Sequence, residues 1–249
     1  MKTILTVTAV AAGLLFSAAS FAAEPPAVVK AAVADKARPA ADTERDANRK
    51  PAEAVAFAGI KAGDKVADIN PGGGYFTRIF SKVVGPTGKV YGVIGAATLA
   101  QRPTAGDGMK ALQADAQYGN IVFHASDYDK LSMPEALDVA WTSDNYHDFK
   151  NRPAGFTEAM NKAIFAALKP GGTYIVIDHA AEKGSGGRDT NTLHRVDPDL
   201  VKKEVLAAGF KLDGESNILA NPADDHKGGV GDGAVKGKTD QFVFKFKKP

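Results

Sequence analysis

Apolar positions along this chain switch between short continuous runs and a helical spacing, and the switches are marked by glycine and proline. Pro51 to Ala58 reads as a helix with proline at its first position, closed by Gly59. Lys65 to Ile69 reads as a first strand. Phe76, Ile79, Phe80, Val83 and Val84 then recur at helical spacing until Gly85-Pro86-Thr87-Gly88 breaks the pattern. Lys89 to Ile94 predicts a second strand, Asn120 to His124 a third and Leu137 to Thr142 a fourth. Ala97 to Tyr118, between the second and third strands, is small and polar and predicts only partial helix. Phe156 to Leu168 is helical in pattern and stops at Lys169-Pro170-Gly171-Gly172; Tyr174 to Asp178 follows as a fifth strand. Asp197-Pro198 caps a helix that runs through Val201 and Val205 to Gly209. Lys211 to Ile218 and Gln241 to Phe246 complete seven strands.

Strands that alternate with helices predict a mostly parallel sheet covered by helices on both faces. The last two strands have no helix between them, which predicts an antiparallel final strand. The expected architecture is therefore α/β, a Rossmann-like doubly wound seven-stranded sheet over residues 48–249.

The N-terminus adds a compartment. Met1-Lys2 precedes an apolar or small stretch from Ile4 to Phe21 that exits through Ser20-Phe21-Ala22. A positive start, an apolar middle and small residues at the exit predict a signal peptide over residues 1–22, cleaved after Ala22, and hence a periplasmic or secreted protein with no membrane span left after cleavage. Residues 23–47 are rich in Ala and Pro without an apolar period and predict a flexible leader. The chain has no cysteine, so thiolate zinc sites and disulfides are excluded. Its net charge of +2 comes with no basic helix, and nucleic acid is set aside as a partner. The sequence leaves the oligomeric state open.

Candidate chemistry concentrates in Val66-Ala-Asp-Ile-Asn-Pro-Gly-Gly-Gly-Tyr-Phe-Thr77. A strand, a glycine turn and a helix start, with an acid near the strand's end, suit a nucleoside or nucleotide site at the carboxyl edge of a parallel sheet. Thr77 stands where the dinucleotide fingerprint needs its third glycine. The segment instead resembles the first motif of the class I S-adenosylmethionine (AdoMet) methyltransferases, with Asn70 at the usual first glycine. The Leu-Lys-Pro-Gly-Gly stop at 168–172 and Ala-Gly-Phe at 208–210 strengthen that resemblance. Arg45-Asp-Ala-Asn-Arg-Lys-Pro51, Asp144-Asn-Tyr-His-Asp148 and Gly237-Lys-Thr-Asp-Gln-Phe242 are similar to a group of exported predicted methyltransferases.

The resemblance implies AdoMet as cofactor, held at its amino-acid end by Asp68, Asn70, Gly72 and Gly74, with Asp127 meeting the adenine amino group. It also implies a ribose-binding acid after the second strand, where this chain has Ile94. After the fourth strand, Asn145 and Tyr146 are expected to orient an acceptor amine or hydroxyl, and His147 to take its proton. The acceptor class is a small molecule or a cell-envelope component. Gly184-Ser-Gly-Gly187, with His194 and Arg195, reads as a mobile lid.

The alternative is a methyltransferase-like fold without methyl transfer that binds another small ligand or a metal. His147, His179 and His194 with Asp144, Asp148 and Asp178 offer suitable ligand types. No His pair has the close helical spacing of a strong metal motif, so no metal site is predicted. Gly237-Lys238-Thr239 fails as a phosphate loop, because its first glycine falls on Asp232 and a strand follows it.

Overall fold

The computed structural model describes residues 24–233 and 235–249, so the signal-peptide reading of residues 1–22 lies outside the described residues. Four helices come first: α1 (Ala27–Val33), α2 (Ala40–Thr43), α3 (Asp46–Arg49) and α4 (Pro51–Ala58). There follow β1 (Lys65–Ile69), α5 (Tyr75–Val84), β2 (Lys89–Ile94), α6 (Ala96–Gln101), α7 (Asp107–Ala114), β3 (Ile121–Ala125) and β4 (Leu137–Ser143). The chain continues through α8 (Tyr146–Lys150), α9 (Phe156–Ala167), β5 (Leu168–His179), α10 (Pro198–Ala207), β6 (Lys211–Ser216) and β7 (Gln241–Lys247). Among the described residues no helix is long and apolar enough to cross a membrane.

The seven strands form one sheet in the order β3-β2-β1-β4-β5-β7-β6. The first five pair in parallel, and β7 lies antiparallel between β5 and β6. The expected doubly wound class and the antiparallel last strand are both observed. The order reverses between β1 and β4, and that switch point sets the carboxyl-edge crevice where ligands of such sheets bind.

Alternate residues of each central strand enter different cores, which is why the strands read as unbroken apolar runs. Val66, Val90, Trp141 and Ile175 pack with Phe76, Phe80 and Val83 of α5 and with α4. Ala67, Tyr91, Ala140, Tyr174 and Val176 pack on the opposite side with Met160, Ile164, Val201 and Val205 of α9 and α10. The Trp141 ring lies 4.7 Å from Phe76 and 5.1 Å from Phe80, centroid to centroid. Asp197 starts α10 as expected, its side chain accepting from Asp199 N.

The segment expected as a flexible leader is folded. Val29 and Ala32 of α1 join the core beside α4 and α5. The buried Arg38 donates to both carboxylate oxygens of Asp46 at 2.7 and 2.8 Å, and Arg78 of α5 pairs with Asp42 at 2.8 Å. The Tyr75 hydroxyl also donates to Asp46. The composition misleads because two apolar side chains, an internal Arg38–Asp46 pair and ion pairs from Asp35 and Asp42 to α5 hold this segment in place of an amphipathic period.

Arg38→Ala is therefore expected to lower unfolding free energy by about 3 kcal/mol, since it leaves Asp46 partly buried without its cation. Urea denaturation measures the loss. Limited proteolysis should cut the 27–49 segment in the variant well before the sheet.

Candidate functional site

The turn after β1 has the geometry its sequence requires. Asn70, Gly72 and Gly74 have φ of 57°, 57° and 81°. Asparagine tolerates this left-handed region better than most residues. A Cβ on Gly74 would sit 2.5 Å from Leu112 Cδ1 and 2.7 Å from Met109 Cε, so a side chain there would displace those two side-chain ends as well as strain a backbone at φ 81°. A Cβ on Gly72 would meet nothing within 4 Å. Only backbone conformation constrains Gly72, and the space above it is open.

Asp68 points under this turn toward α5 and accepts from Thr77 Oγ1 at 2.6 Å. Burial pushes its pKa up to about 6, while Thr77 and the nearby Arg49 oppose that rise. Above it lies a cavity of about 250 Å³, lined by Arg45, Arg49, Asp68, Gly72, Tyr75 and Asn145, among others. Arg45 and Arg49 reach it from the folded N-terminal segment, with guanidinium carbons 5.1 and 4.7 Å from the Tyr75 ring centroid. Arg49 also donates to Ser143 Oγ at 2.9 Å and pairs with Asp144 at 2.8 Å. An adjoining cavity of about 240 Å³ shares Arg45, Arg49 and Asp144 and extends to His179, Thr239 and Gln241. Larger cavities, of about 820 and 480 Å³, lie along the N-terminal helices and beside the end of α5, away from the strand ends. The strand-end cavities hold the convergent polar groups and are the better candidate.

The residues after β4 separate. Asn145 lies at the cavity: its Nδ2 donates to the carbonyls of Ile69 and Asn70 at 2.9 and 3.3 Å, and its buried Oδ1 has no partner. Tyr146 does not reach the cavity. Its hydroxyl donates to Glu204 at 2.8 Å and accepts from Asn161 Nδ2 at 2.8 Å, deep among α8, α9 and α10. The expected acceptor-orienting role is corrected accordingly: one residue along a helix turns a side chain by about 100°, and this one faces the core.

His147 is buried, with Nδ1 2.7 Å from Asp178 Oδ1 and Nε2 3.5 Å from Asp148 Oδ1. Burial opposes its charged form, but the Asp178 carboxylate outweighs that, so its pKa lies above the ordinary value. Asp178 also accepts from the backbone amides of His147 and His179 at 2.8 and 2.7 Å, which fixes the carboxylate.

Two other expectations meet different outcomes. Asp127 sits at the end of β3, where its Oδ1 accepts from Ala97 N at 3.0 Å. The chain thus brings an acid from the β3 loop to the loop after β2, while Ile94 is buried in the core. The expected lid is tied down. Gly184 and Gly186 donate to Asp197 at 2.9 and 3.1 Å, and Arg195 is fully buried against Asp224 at 2.8 Å. His194 remains at the surface, with its ring 5.4 Å from that of His147.

A family model described as protein-L-isoaspartate(D-aspartate) O-methyltransferase matches residues 40–137. A ubiquinone/menaquinone biosynthesis C-methyltransferase, UbiE, of Pseudomonas savastanoi pv. phaseolicola is 31% identical over 130 residues, 50% of this chain and 45% of the relative. The chain thus spans under half the length of this curated relative. Both matches are to methyltransferases, and each covers half of this chain or less. Solved structures agree on the fold. A SAM-dependent methyltransferase from Aquifex aeolicus superposes with a TM-score of 0.57 at 17% identity, covering 78% of this chain and 87% of the other. A putative sarcosine dimethylglycine methyltransferase from Galdieria sulphuraria gives 0.60 at 14% identity, covering 84% and 87%. The β1 turn and the Arg-lined cavity occupy the switch-point crevice between β1 and β4.

Arg45 and Arg49 are the site residues that sequence reasoning missed. They entered it only as part of a segment similar to exported relatives; their spacing of four, one helical turn, was the available signal.

Asp68 gives a signed pH dependence. The folded chain holds its proton up to about pH 6, whereas the unfolded chain releases it near 3.8. The stability it contributes is present below about pH 4 and is lost as pH rises through about 6, by an amount of order 3 kcal/mol. Asp68→Asn should abolish this term. Unfolding curves of both proteins between pH 4 and 7 test it, and parallel pH profiles would contradict it.

Proposed function

We propose that the protein is an AdoMet-dependent methyltransferase acting on a small-molecule or cell-envelope acceptor outside the cytoplasm. The observation that carries this reading is the cavity at the β1 turn, which complements a zwitterion. Asp68 and the unpartnered Asn145 Oδ1 offer acceptors to an α-ammonium group. Arg45 and Arg49 offer guanidinium donors to an α-carboxylate. The open face of Gly72 lets the backbone approach such a ligand, and Asn70 continues the turn.

The nucleoside would extend toward β2 and β3. There the Tyr128 hydroxyl reaches Asn70 Oδ1 at 3.4 Å, a weak contact that a ligand can displace. Asp127 supplies the carboxylate at that end for the adenine amino group. Without an acid at Ile94, binding loses one charge-assisted interaction with the ribose, worth about 1.5–3 kcal/mol. Affinity should then be about ten- to a hundredfold weaker than a site with that acid would give.

Methyl transfer from a sulfonium needs an in-line nucleophile and exclusion of water. On the acceptor side, His147 presents the Nε2 lone pair, with Asp178 setting the tautomer by accepting from Nδ1. Such a lone pair accepts the proton of a hydroxyl or amine nucleophile, or binds a cation that acidifies it. The family model describes an O-methyltransferase and the relatives C-methyltransferases, so they do not agree on an acceptor atom. The signal-peptide reading supports an extracytoplasmic acceptor.

Calorimetric titration with AdoMet and S-adenosylhomocysteine tests the proposal. Micromolar binding is expected, lost in Gly72→Val, whose branched side chain cannot hold φ near 57°, and weakened at least tenfold in Asp127→Ala. No heat from the folded wild-type protein, or binding indifferent to both changes, would sink it.

A further inference from the structure

His147, Asp148 and His194 come from two segments separated by 45 intervening residues, yet their ligand-type atoms all lie within 4.8 Å of one another. We propose that these three side chains form a binding site for a divalent first-row cation of the zinc type, with a fourth position open to an oxygen ligand. Asp148 Oδ1 stands 3.5 Å from His147 Nε2 and 3.9 Å from His194 Nδ1. Three atoms bound at about 2.0–2.1 Å in a tetrahedron lie about 3.3–3.4 Å apart, so small side-chain rotations complete the geometry.

Two features of how these side chains are supported point to a cation. The first is the tautomer of His147. Its Nδ1 faces the Asp178 carboxylate at 2.7 Å and so carries a proton, which directs Nε2 at Asp148 Oδ1, 3.5 Å away. An imidazole nitrogen that faces a carboxylate calls for a positive charge between them, and a cation held by both supplies it. Zinc-bound imidazoles characteristically donate their other nitrogen to a carboxylate in this way, which orients the ring and raises its basicity. Asp178 is itself fully buried and fixed by two backbone amides, so the support is rigid.

The second is the placement of His194. Its φ is 55°, a conformation that a histidine adopts at a cost, and it turns the ring toward His147. The loop that carries it is clamped by the buried Arg195–Asp224 pair and by Leu193, whose carbonyl accepts from Val230 N. Asp148 and His194 are both half-exposed, which leaves the fourth position open to solvent. Two imidazoles, one carboxylate and an open position make a donor set suited to zinc and to its cobalt substitute.

This site does not depend on the methyl-transfer reading. If both hold, the cation sits on the acceptor side and binds a hydroxyl or carboxylate of the acceptor. It would then lower a bound hydroxyl's pKa, so that the proton leaves to solvent instead of to His147.

The test uses the untagged protein, stripped with chelator and titrated with Zn²⁺ alone by calorimetry, with Co²⁺ absorption as a second readout. One equivalent per chain with submicromolar affinity is expected, together with the intense visible bands of four-coordinate cobalt. Two variants separate ligation from folding. His194→Gly removes one ligand while suiting the left-handed backbone, and Asp148→Asn changes an exposed side chain only. Each should weaken Zn²⁺ at least a hundredfold and abolish the cobalt bands, with the circular dichroism spectrum and melting profile of the metal-free protein unchanged. Substoichiometric binding in the wild-type protein, or stoichiometric binding unaffected by both variants, would overturn the proposal. AdoMet titration of the same metal-free samples shows separately whether the cofactor reading stands.

Discussion

Burial of the sheet on both faces is the constraint from which the rest of this molecule follows. Helices cover each side, so the central strands can carry almost no polar chemistry along their lengths. Polar groups collect instead where the backbone leaves the sheet, at the carboxyl ends of β1, β4 and β5. Asp68, Asn145, His147 and Asp178 all lie at those ends. Each is held by a partner in a neighbouring element, which lets partly desolvated groups keep a fixed geometry.

The N-terminal segment completes the site from outside the sheet. Its attachment rests on ion pairs to α5 and on the Tyr75 ring, against which three arginines stack within 5.3 Å of the centroid. Arg38 is spent on structure, through Asp46. Arg45 and Arg49 lie at the cavity, where their charge offsets Asp68 and Asp144 and gives an anionic ligand group its counter-charge. Docking of this segment therefore supplies the two arginines of the candidate ligand site.

Neighbouring residues after β4 divide labour by helix geometry. Asn145 braces the β1 turn through two carbonyls, Tyr146 locks α8 to α9 and α10, and His147 turns back to Asp178. Asn145 precedes α8 with an extended φ of −151°, and within α8 a rotation of about 100° per residue parts Tyr146 from His147, so three consecutive polar side chains go to three different places. Their shared chemistry in the sequence carried no information about which one faces a ligand.

The alternation of apolar runs with helical spacing was sufficient to determine the seven strands, their class and the antiparallel β7, because a twice-buried sheet leaves local, periodic signals. The glycine turn was legible for the same reason: Asn70, Gly72 and Gly74 answer to their own backbone angles. The residues that only tertiary structure decided answer to distant partners. Residues 24–47 fold because Asp42 and Asp46 find Arg78 and Tyr75; Tyr146 leaves the site because Glu204 and Asn161 receive it. His147, Asp148 and His194 converge only because the loop after β5 is pinned by Arg195 and Asp224. Local periodicity records which residues are buried, but it does not record what they are buried against. Charge pairing, ring orientation and metal-type clustering depend on that second fact, and the closed fold alone supplies it.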